Sequence, residues 1–140
     1  MKIKVIKIIV SVMLLLVGGL IYIAYRTEDL LMFSWFRALK MEHIICEIRV
    51  FFSRIEIPYF VKFCLPNGLW TASYLISVDA LVKDKKLLWA LVLPLIATVF
   101  EILQIWQIIQ GTFDIGDLIC ILAPTIVYIV YYHIQDETSI

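Results

Sequence analysis

The chain of 140 residues has few of the side chains that bind metals or act as nucleophiles. It contains two histidines, His43 and His133, and three cysteines, none of which forms a CxxC pair. A metal site would therefore lack a ligand set, and no Ser-His or Cys-His arrangement is available for nucleophilic catalysis. We expect neither a metal nor another cofactor.

Charge is also scarce, at 17% of the residues, and basic and acidic side chains cancel to a formal net charge of zero. A neutral chain has no basic field for nucleic acid, so no nucleic-acid partner is expected. Apolar residues are in excess instead. They make up 63% of the chain, with mean hydropathy +0.97, whereas soluble domains contain about 45–50%. The composition predicts an all-α integral membrane protein.

Four apolar stretches come close to the roughly 20 residues that cross about 30 Å of hydrocarbon. They predict transmembrane helices over 5–25, 65–82, 87–109 and 113–132, in a single domain that covers 1–140. The first stretch is longer than the apolar part of a signal peptide and has no A-x-A site near its end. We therefore expect it to remain as an anchor.

Two lysine clusters predict the orientation of these spans. One lies in residues 2–7 and the other in 83–86, and two spans separate them, so both clusters lie on one side. The segment 26–64 is also basic, but its charges are spread over a longer stretch and accompanied by acids. By the positive-inside rule we expect a multi-pass protein of the cell inner (plasma) membrane with both termini in the cytoplasm.

The segment 26–64 between the first two spans has the periodicity of an amphipathic helix. Arg37, Lys40, His43 and Glu47 recur at three- and four-residue spacing among apolar residues. We predict one helix over 31–48, in an external segment that lies along the interface or covers a polar site. A disulfide between Cys46 and Cys64 of this segment is left open.

Polar residues recur near the external ends of the last three predicted spans. Glu101 and Gln104 are one helical turn apart, and a carboxylate in a membrane helix is by default a functional residue, since its insertion costs about 2.5–3.5 kcal/mol. Because no cation lies within one turn of Glu101, we expect it to be protonated, hydrogen-bonded across helices, or paired with a cation from 26–64. The predicted ligand-binding residues are Glu101, Gln104, Asp114, Asp117, Asn67, Trp70, Tyr74 and Ser77.

Simpler structural roles are open for most of these side chains. Asp114 and Asp117 fit the N-cap and N3 positions of the last helix, with Gly111 ending the helix before it. The aromatic residues fit packing or an interfacial belt, and the hydroxyls fit contacts between helices. Asp79, four residues before Lys83, fits an interfacial ion pair.

The motif Glu101-x-x-Gln104 followed by Gly111-Thr112-Phe113-Asp114-Ile115-Gly116-Asp117 resembles the core motif of VanZ-like membrane proteins. The stretch Leu65-Pro66-Asn67-Gly68-Leu69-Trp70 is similar to small bacterial relatives of that group. In the family pattern an arginine precedes the first aspartate, whereas Thr112 stands near that position here. Residues 119–124 likewise lack the asparagine and glycines that follow the second aspartate. The resemblance implies a bacterial cell-membrane protein in a family linked to teicoplanin-type glycopeptide resistance.

Two function classes fit these residues. The first is a non-enzymatic protein whose outward-facing polar pocket binds a lipid head group, a cell-wall precursor or a glycopeptide. The second is an intramembrane enzyme that uses Glu101 and the Asp114 and Asp117 pair as acid and base. We favour the binding protein, with a membrane lipid or lipid-linked envelope precursor as partner. A small structural subunit, bound to another membrane protein or to a second copy of itself, is a third alternative.

Overall fold

The computed structural model describes residues 2–28, 31–109 and 112–137, and every regular element in these ranges is an α-helix. The absence of strands from these ranges confirms the all-α class. Three of the helices are long and apolar enough to cross a membrane. The elements in chain order are α1 (Lys2–Tyr25), α2 (Leu31–Ala38), α3 (Glu42–Phe52), α4 (Tyr59–Phe63), α5 (Leu65–Leu81), α6 (Lys86–Ile105) and α7 (Ile115–Glu137).

The helix α5 lies at the centre of the bundle and packs against α1, α6 and α7. It has 17 residues, so it is about 25 Å long and shorter than the three apolar helices. Pro66 stands in its first turn, where the missing proline N–H leaves no hydrogen bond unmade. The predicted second span, 65–82, thus corresponds to a helix that other helices surround.

The bundle has two chemically different ends, because α1 and α6 run antiparallel to α5 while α7 runs parallel to it. Ser11 of α1 faces Ser73 of α5, and Lys7 faces Asp79. We call the end with residues 2–7 and 81–86 the lysine end. The opposite end, with residues 101–117, is the carboxylate end.

Small residues bring α1 close to α5. The buried residues of α1 are Ser11, Gly18 and Ala24. A Cβ atom on Gly18 would lie 2.8 Å from Nε1 of Trp70, so a side chain there has no room. The hydroxyls of Ser11 and Ser73 each donate to the backbone carbonyl of the other residue, at 2.9 and 2.8 Å. Close approach and hydrogen bonds of this kind hold helices together in a bilayer.

The predicted single helix over 31–48 is wrong, because the chain turns between α2 and α3. Lys40 adopts a left-handed conformation with φ 56°, and the N–H of Met41 donates to the carbonyl of Phe36 at 3.0 Å, as in a Schellman cap. The turn allows apolar side chains of both short helices to be covered. Phe33 of α2 and Ile45 of α3 are 3% and 7% exposed.

The helix α6 also ends earlier than the predicted span 87–109. Gln107 has φ 55°, and its N–H donates to the carbonyl of Gln104 at 3.0 Å, while the N–H of Ile108 donates to that of Leu103 at 3.2 Å. These two bonds form a Schellman cap that ends the helix at Ile105. Gly111, the predicted end, lies outside the described residues.

The lysine end is tied together by Asp79. Its carboxylate accepts hydrogen bonds from Lys7 of α1 and from Lys86 of α6, the latter at 3.0 Å. The predicted partner was Lys83, four residues further along one helix. That prediction is wrong because α5 ends at Leu81, which places Lys83 beyond the helix. One carboxylate therefore joins three helices at this end.

Candidate functional site

Three carboxylates from two helices meet at the carboxylate end. Glu101 lies in the last turn of α6, Asp114 immediately precedes α7, and Asp117 lies in the first turn of α7. Because α6 ends at Ile105, Glu101 is about 6 Å from the end of its helix. The early end of α6 therefore brings Glu101 level with the start of α7. We call these three side chains, together with Arg26, the carboxylate cluster.

Asp114 caps α7, as its position in the sequence predicts. Its Oδ1 accepts the N–H of Gly116 at 2.8 Å, which is the N-cap to N2 bond, and Asp117 follows at N3. In a capping box the N3 side chain would accept the N–H of the N-cap residue. Here Asp117 faces Arg26 instead. The backbone N–H of Asp114 lies close to Glu101 of α6, so the neighbouring helix approaches the start of α7 at this point.

The second oxygen of Asp114 is also engaged, because Tyr59 of α4 donates its hydroxyl to Oδ2 at 2.7 Å. This bond, followed by that from the N–H of Gly116, lowers the pKa of Asp114. Beside it, burial and then the charges of the two aspartates raise the pKa of the Cys64 thiol to about 11. The Cys64 thiol is therefore protonated at neutral pH, and it is not in a disulfide: Cys46 and Cys64 are both free.

Asp117 is 6% exposed and faces the one cation of the cluster. Nη2 of Arg26, which follows α1, lies 3.7 Å from its Oδ2 and donates to the carbonyl of Phe63 at 2.7 Å. The guanidinium also lies over the rings of Tyr22 and Phe63, with centroids at 5.6 and 5.1 Å. The side chain of Asn67 of α5 lies next to Asp117. A cation from the start of segment 26–64 thus reaches the cluster, but its ion pair is with Asp117 and not with Glu101, the residue for which the sequence left such a partner open.

Several polar atoms of the cluster are buried without a hydrogen-bond partner among the described residues. They are Nε of Arg26, Oε2 of Glu101 and Oδ1 of Asp117. A buried polar atom whose hydrogen bond is unmade costs about 1–3 kcal/mol, so such atoms are uncommon unless something else binds to them. The cluster offers two acceptors with an excess of negative charge and, next to them, one cationic donor. That combination matches a ligand with an ammonium group close to an anionic group.

The predicted stripe on α5 does not line the cluster as a whole. Asn67 contacts Asp117, but the other members reach different helices. Nε1 of Trp70 donates to the backbone carbonyl of Leu15 in α1 at 3.3 Å. The hydroxyl of Tyr74 donates to the backbone carbonyl of Trp89 in α6 at 2.5 Å. The hydroxyls of Ser77 and Ser11 are 2.5 Å apart. Gln104 lies half-buried on the last turn of α6. The structure therefore separates Trp70, Tyr74 and Ser77 from Glu101.

Three side chains of the site were not among the predicted residues: Arg26, Tyr59 and Cys64. A signal for Arg26 is present, because it is the first charge after the predicted 5–25 span. Tyr59 of α4 and Cys64, which follows α4, have no such signal, since they lie 55 and 50 positions from Asp114 along the chain and approach it only when the helices pack. Gly116 allows this approach, as a Cβ atom there would lie 2.5 Å from Sγ of Cys64.

The cap at Asp114 gives a prediction for stability. We expect Asp114→Ala to lower the free energy of unfolding by about 1 kcal/mol, whereas Asp114→Asn keeps an oxygen for the cap and is nearly neutral. Because the folded chain lowers the pKa of Asp114, its stabilising effect is present above the ordinary pKa of about 3.9 and is lost as pH falls through the folded-state pKa.

The measurement is thermal unfolding of the detergent-solubilised chain at pH 7 and at pH 3. The wild type should lose more stability between the two pH values than Asp114→Asn does. Equal stability of Asp114→Ala and the wild type at pH 7 would contradict the role of Asp114 as a cap.

Within the described ranges, no group of three or more His, Cys, Asp or Glu side chains is placed to hold a metal ion. Comparison of the chain with family models, curated proteins and solved structures gives no match. The function must therefore be inferred from the cluster itself.

Proposed function

We propose that the chain is a VanZ-like, non-enzymatic binding protein with four spans in the bacterial inner membrane. Its carboxylate end faces outward and binds the ammonium-bearing part of a lipid head group, a cell-wall precursor or a glycopeptide. The observation that carries the proposal is the pair of buried carboxylate oxygens without partners, Oε2 of Glu101 and Oδ1 of Asp117.

The proposed membrane position is supported by exposed tryptophans at both ends of α6. Trp89 and Trp106 are 53% and 64% exposed and stand 17 residues apart. That separation is about 25 Å along a helix, close to the thickness of the hydrocarbon core between the two aromatic belts. In the proposed arrangement α5 also crosses the membrane, as the second of four spans in chain order, and α1, α6 and α7 cover its polar side chains. The lysine end is cytoplasmic by the positive-inside rule.

The charges of the cluster support an ammonium group as the recognised feature. An ammonium has three N–H donors and one positive charge, so it can satisfy Glu101 and Asp117 at the same time. Arg26 supplies one guanidinium against three carboxylates, and its Nε is free for a phosphate or carboxylate of the same ligand. Arg26 also supplies near Asp117 the guanidinium that the VanZ-like pattern has before its first aspartate. The resemblance and the site therefore both favour an envelope or antibiotic-resistance role.

The enzyme alternative is less well supported by the aspartate pair. A catalytic dyad needs two carboxyl groups that can share and exchange a proton. Both oxygens of Asp114 are already bound, Oδ1 to the N–H of Gly116 and Oδ2 to the hydroxyl of Tyr59. Asp114 therefore holds the start of α7, and Glu101 and Asp117 are the ligand-binding carboxylates.

The proposal is tested by titrating the purified chain with three probes: phosphatidylethanolamine, a lipid-linked peptidoglycan precursor and teicoplanin. We expect at least one to bind and its N-acetylated form to bind at least tenfold more weakly, because acetylation removes the positive charge. Glu101→Gln and Asp117→Asn should weaken the same probe to a similar extent while the chain stays folded.

The matched control is Glu56→Gln, which removes an exposed carboxylate outside the cluster and should leave binding unchanged. If none of the three probes binds, or if the acetylated and free amines bind equally well, the proposal is wrong. Full binding by both cluster variants would also overturn it.

A further inference from the structure

A groove of about 480 Å³ lies between α1, α5 and α7, away from the carboxylate cluster. Its apolar part is formed by Val10 of α1, Ala72 and Ile76 of α5, and Val127 of α7. Val10 and Val127 are 43% and 69% exposed, so the groove opens on the outer surface of the bundle. A volume of this size is within the usual range for a bound organic ligand, about 300–1,000 Å³.

One end of the groove is polar and positively charged. Lys7 and Asp79 line it together with Tyr131, whose hydroxyl is 3.4 Å from Nζ of Lys7. Asp79 is shared between Lys7 and Lys86, which lies just beyond the lining of the groove, so two ammonium groups face one carboxylate and leave an excess of one positive charge in this group of three side chains. Lys7 therefore retains donor capacity for an anion at the mouth of the groove.

The groove has a further polar atom, the hydroxyl of Tyr128. Tyr128 lines the groove and is 7% exposed, and its hydroxyl has no hydrogen-bond partner in the described part of the chain. An unpaired hydroxyl in an apolar environment is costly, and an ester oxygen of a lipid is an acceptor that could satisfy it. The polar atoms thus lie beside and at the end of an apolar channel, which is the arrangement of ester, phosphate and acyl chain in a phospholipid.

We propose that this groove binds one anionic phospholipid from the leaflet around the lysine end. Its acyl chain lies against Ala72 and Ile76, and its phosphate accepts hydrogen bonds from Lys7 and Tyr131. Charge complementarity selects an anionic lipid, because the excess positive charge at Lys7 and Lys86 is unbalanced by Asp79 alone. The site is at the opposite end from the carboxylate cluster and does not depend on the function proposed for it.

The test is a titration of the purified chain in neutral detergent with phosphatidylglycerol and with phosphatidylcholine of the same acyl chains, followed by thermal unfolding and native mass spectrometry. We expect phosphatidylglycerol to bind one molecule per chain and to raise the unfolding temperature more than phosphatidylcholine. Lys7→Gln should weaken phosphatidylglycerol binding about fivefold, the effect of one basic side chain at a membrane surface. Asp79 keeps its bond to Lys86 in this variant, so the chain should still fold.

Two control variants separate this site from general attraction to lipid. Lys83→Gln removes an exposed lysine beyond α5 and should leave the binding constant unchanged. Val127→Trp should block the groove, whereas Ile126→Trp adds the same side chain at an adjacent exposed position that does not line it.

Equal loss in Lys7→Gln and Lys83→Gln would overturn the proposal, because it would indicate non-specific attraction to the lysine end. So would equal binding of the two lipids, or equal binding by the two tryptophan variants. A dimer that retains no lipid would show that a second copy of the chain fills the groove, and would also overturn the proposal.

Discussion

Replacement of Arg26 by methionine should lower the free energy of unfolding by about 1–3 kcal/mol, the cost of leaving a buried polar group without its partner. Asp117 is 6% exposed and stands among two further carboxylates, so its charge would lose the guanidinium that compensates it. Methionine keeps most of the apolar length of the arginine side chain, so that the loss of charge dominates the effect. The measurement is thermal or denaturant unfolding in detergent at pH 7.

The double variant Arg26→Met, Asp117→Asn distinguishes lost charge compensation from lost packing. We expect it to recover a large part of the stability, because the buried carboxylate is then removed together with its partner. Arg54→Met is the control, since Arg54 is exposed. If Arg26→Met is as stable as Arg54→Met, the guanidinium is not what holds the cluster together.

The second large effect is expected where α1 meets α5. Gly18→Leu should destabilise the chain by about 1–3 kcal/mol, because overpacking of a tight contact forces side chains or helices apart. A Cβ atom at this position would lie 2.8 Å from Nε1 and 2.9 Å from Cδ1 of Trp70, which already donates to Leu15 and packs on Tyr22. Gly18 is therefore required by its contact with α5.

The neighbouring glycine provides the matched control. A Cβ atom on Gly19 would meet nothing within 4 Å. Gly19→Leu should therefore be neutral or stabilising, by up to about 1 kcal/mol, since leucine is the better helix former. Unfolding of the two variants under the same conditions measures the difference. Equal effects at the two positions would mean that α1 does not pack on α5 through Gly18.

The residue pattern predicted those features of the structure that depend on the sequence of a single helix. The apolar stretches that become α1, α6 and α7 are evident from length and composition, because a run of about 20 apolar residues has few other folds open to it. Asp114 was placed correctly at the N-cap of α7, since capping depends on residues only two or three positions away. Local rules therefore predicted local structure.

The residue pattern did not predict those features of the structure that depend on contacts with a neighbouring helix. The amphipathic repeat of 31–48 does not reveal that Lys40 takes a left-handed turn, because that turn is favoured by the burial of Phe33 and Ile45. The stripe from Asn67 to Ser77 was assigned to one neighbour. The structure surrounds α5 with three, and the side chains divide among them.

The carboxylate cluster shows the same division. The three acids were identified from the chain, because charge in apolar sequence is conspicuous. Their contacts with Arg26 and Tyr59 were not assigned, since both residues lie more than 40 positions away from Asp114 and approach it only after the helices pack. The sequence thus identified the three acidic residues of the site but not the side chains that contact them.

The hydroxyl contacts between α1 and α5 also constrain how the protein is made. Ser11 is synthesised 62 residues before Ser73, which at about 5–20 residues per second is a delay on the order of 3–12 s. During that interval the Ser11 hydroxyl has to bond to its own helix backbone, as serine in an apolar helix commonly does. The emergence of α5 then allows an exchange of partners. The α1 helix therefore forms before the helix that supplies its final hydrogen-bond partner, α5, has been synthesised.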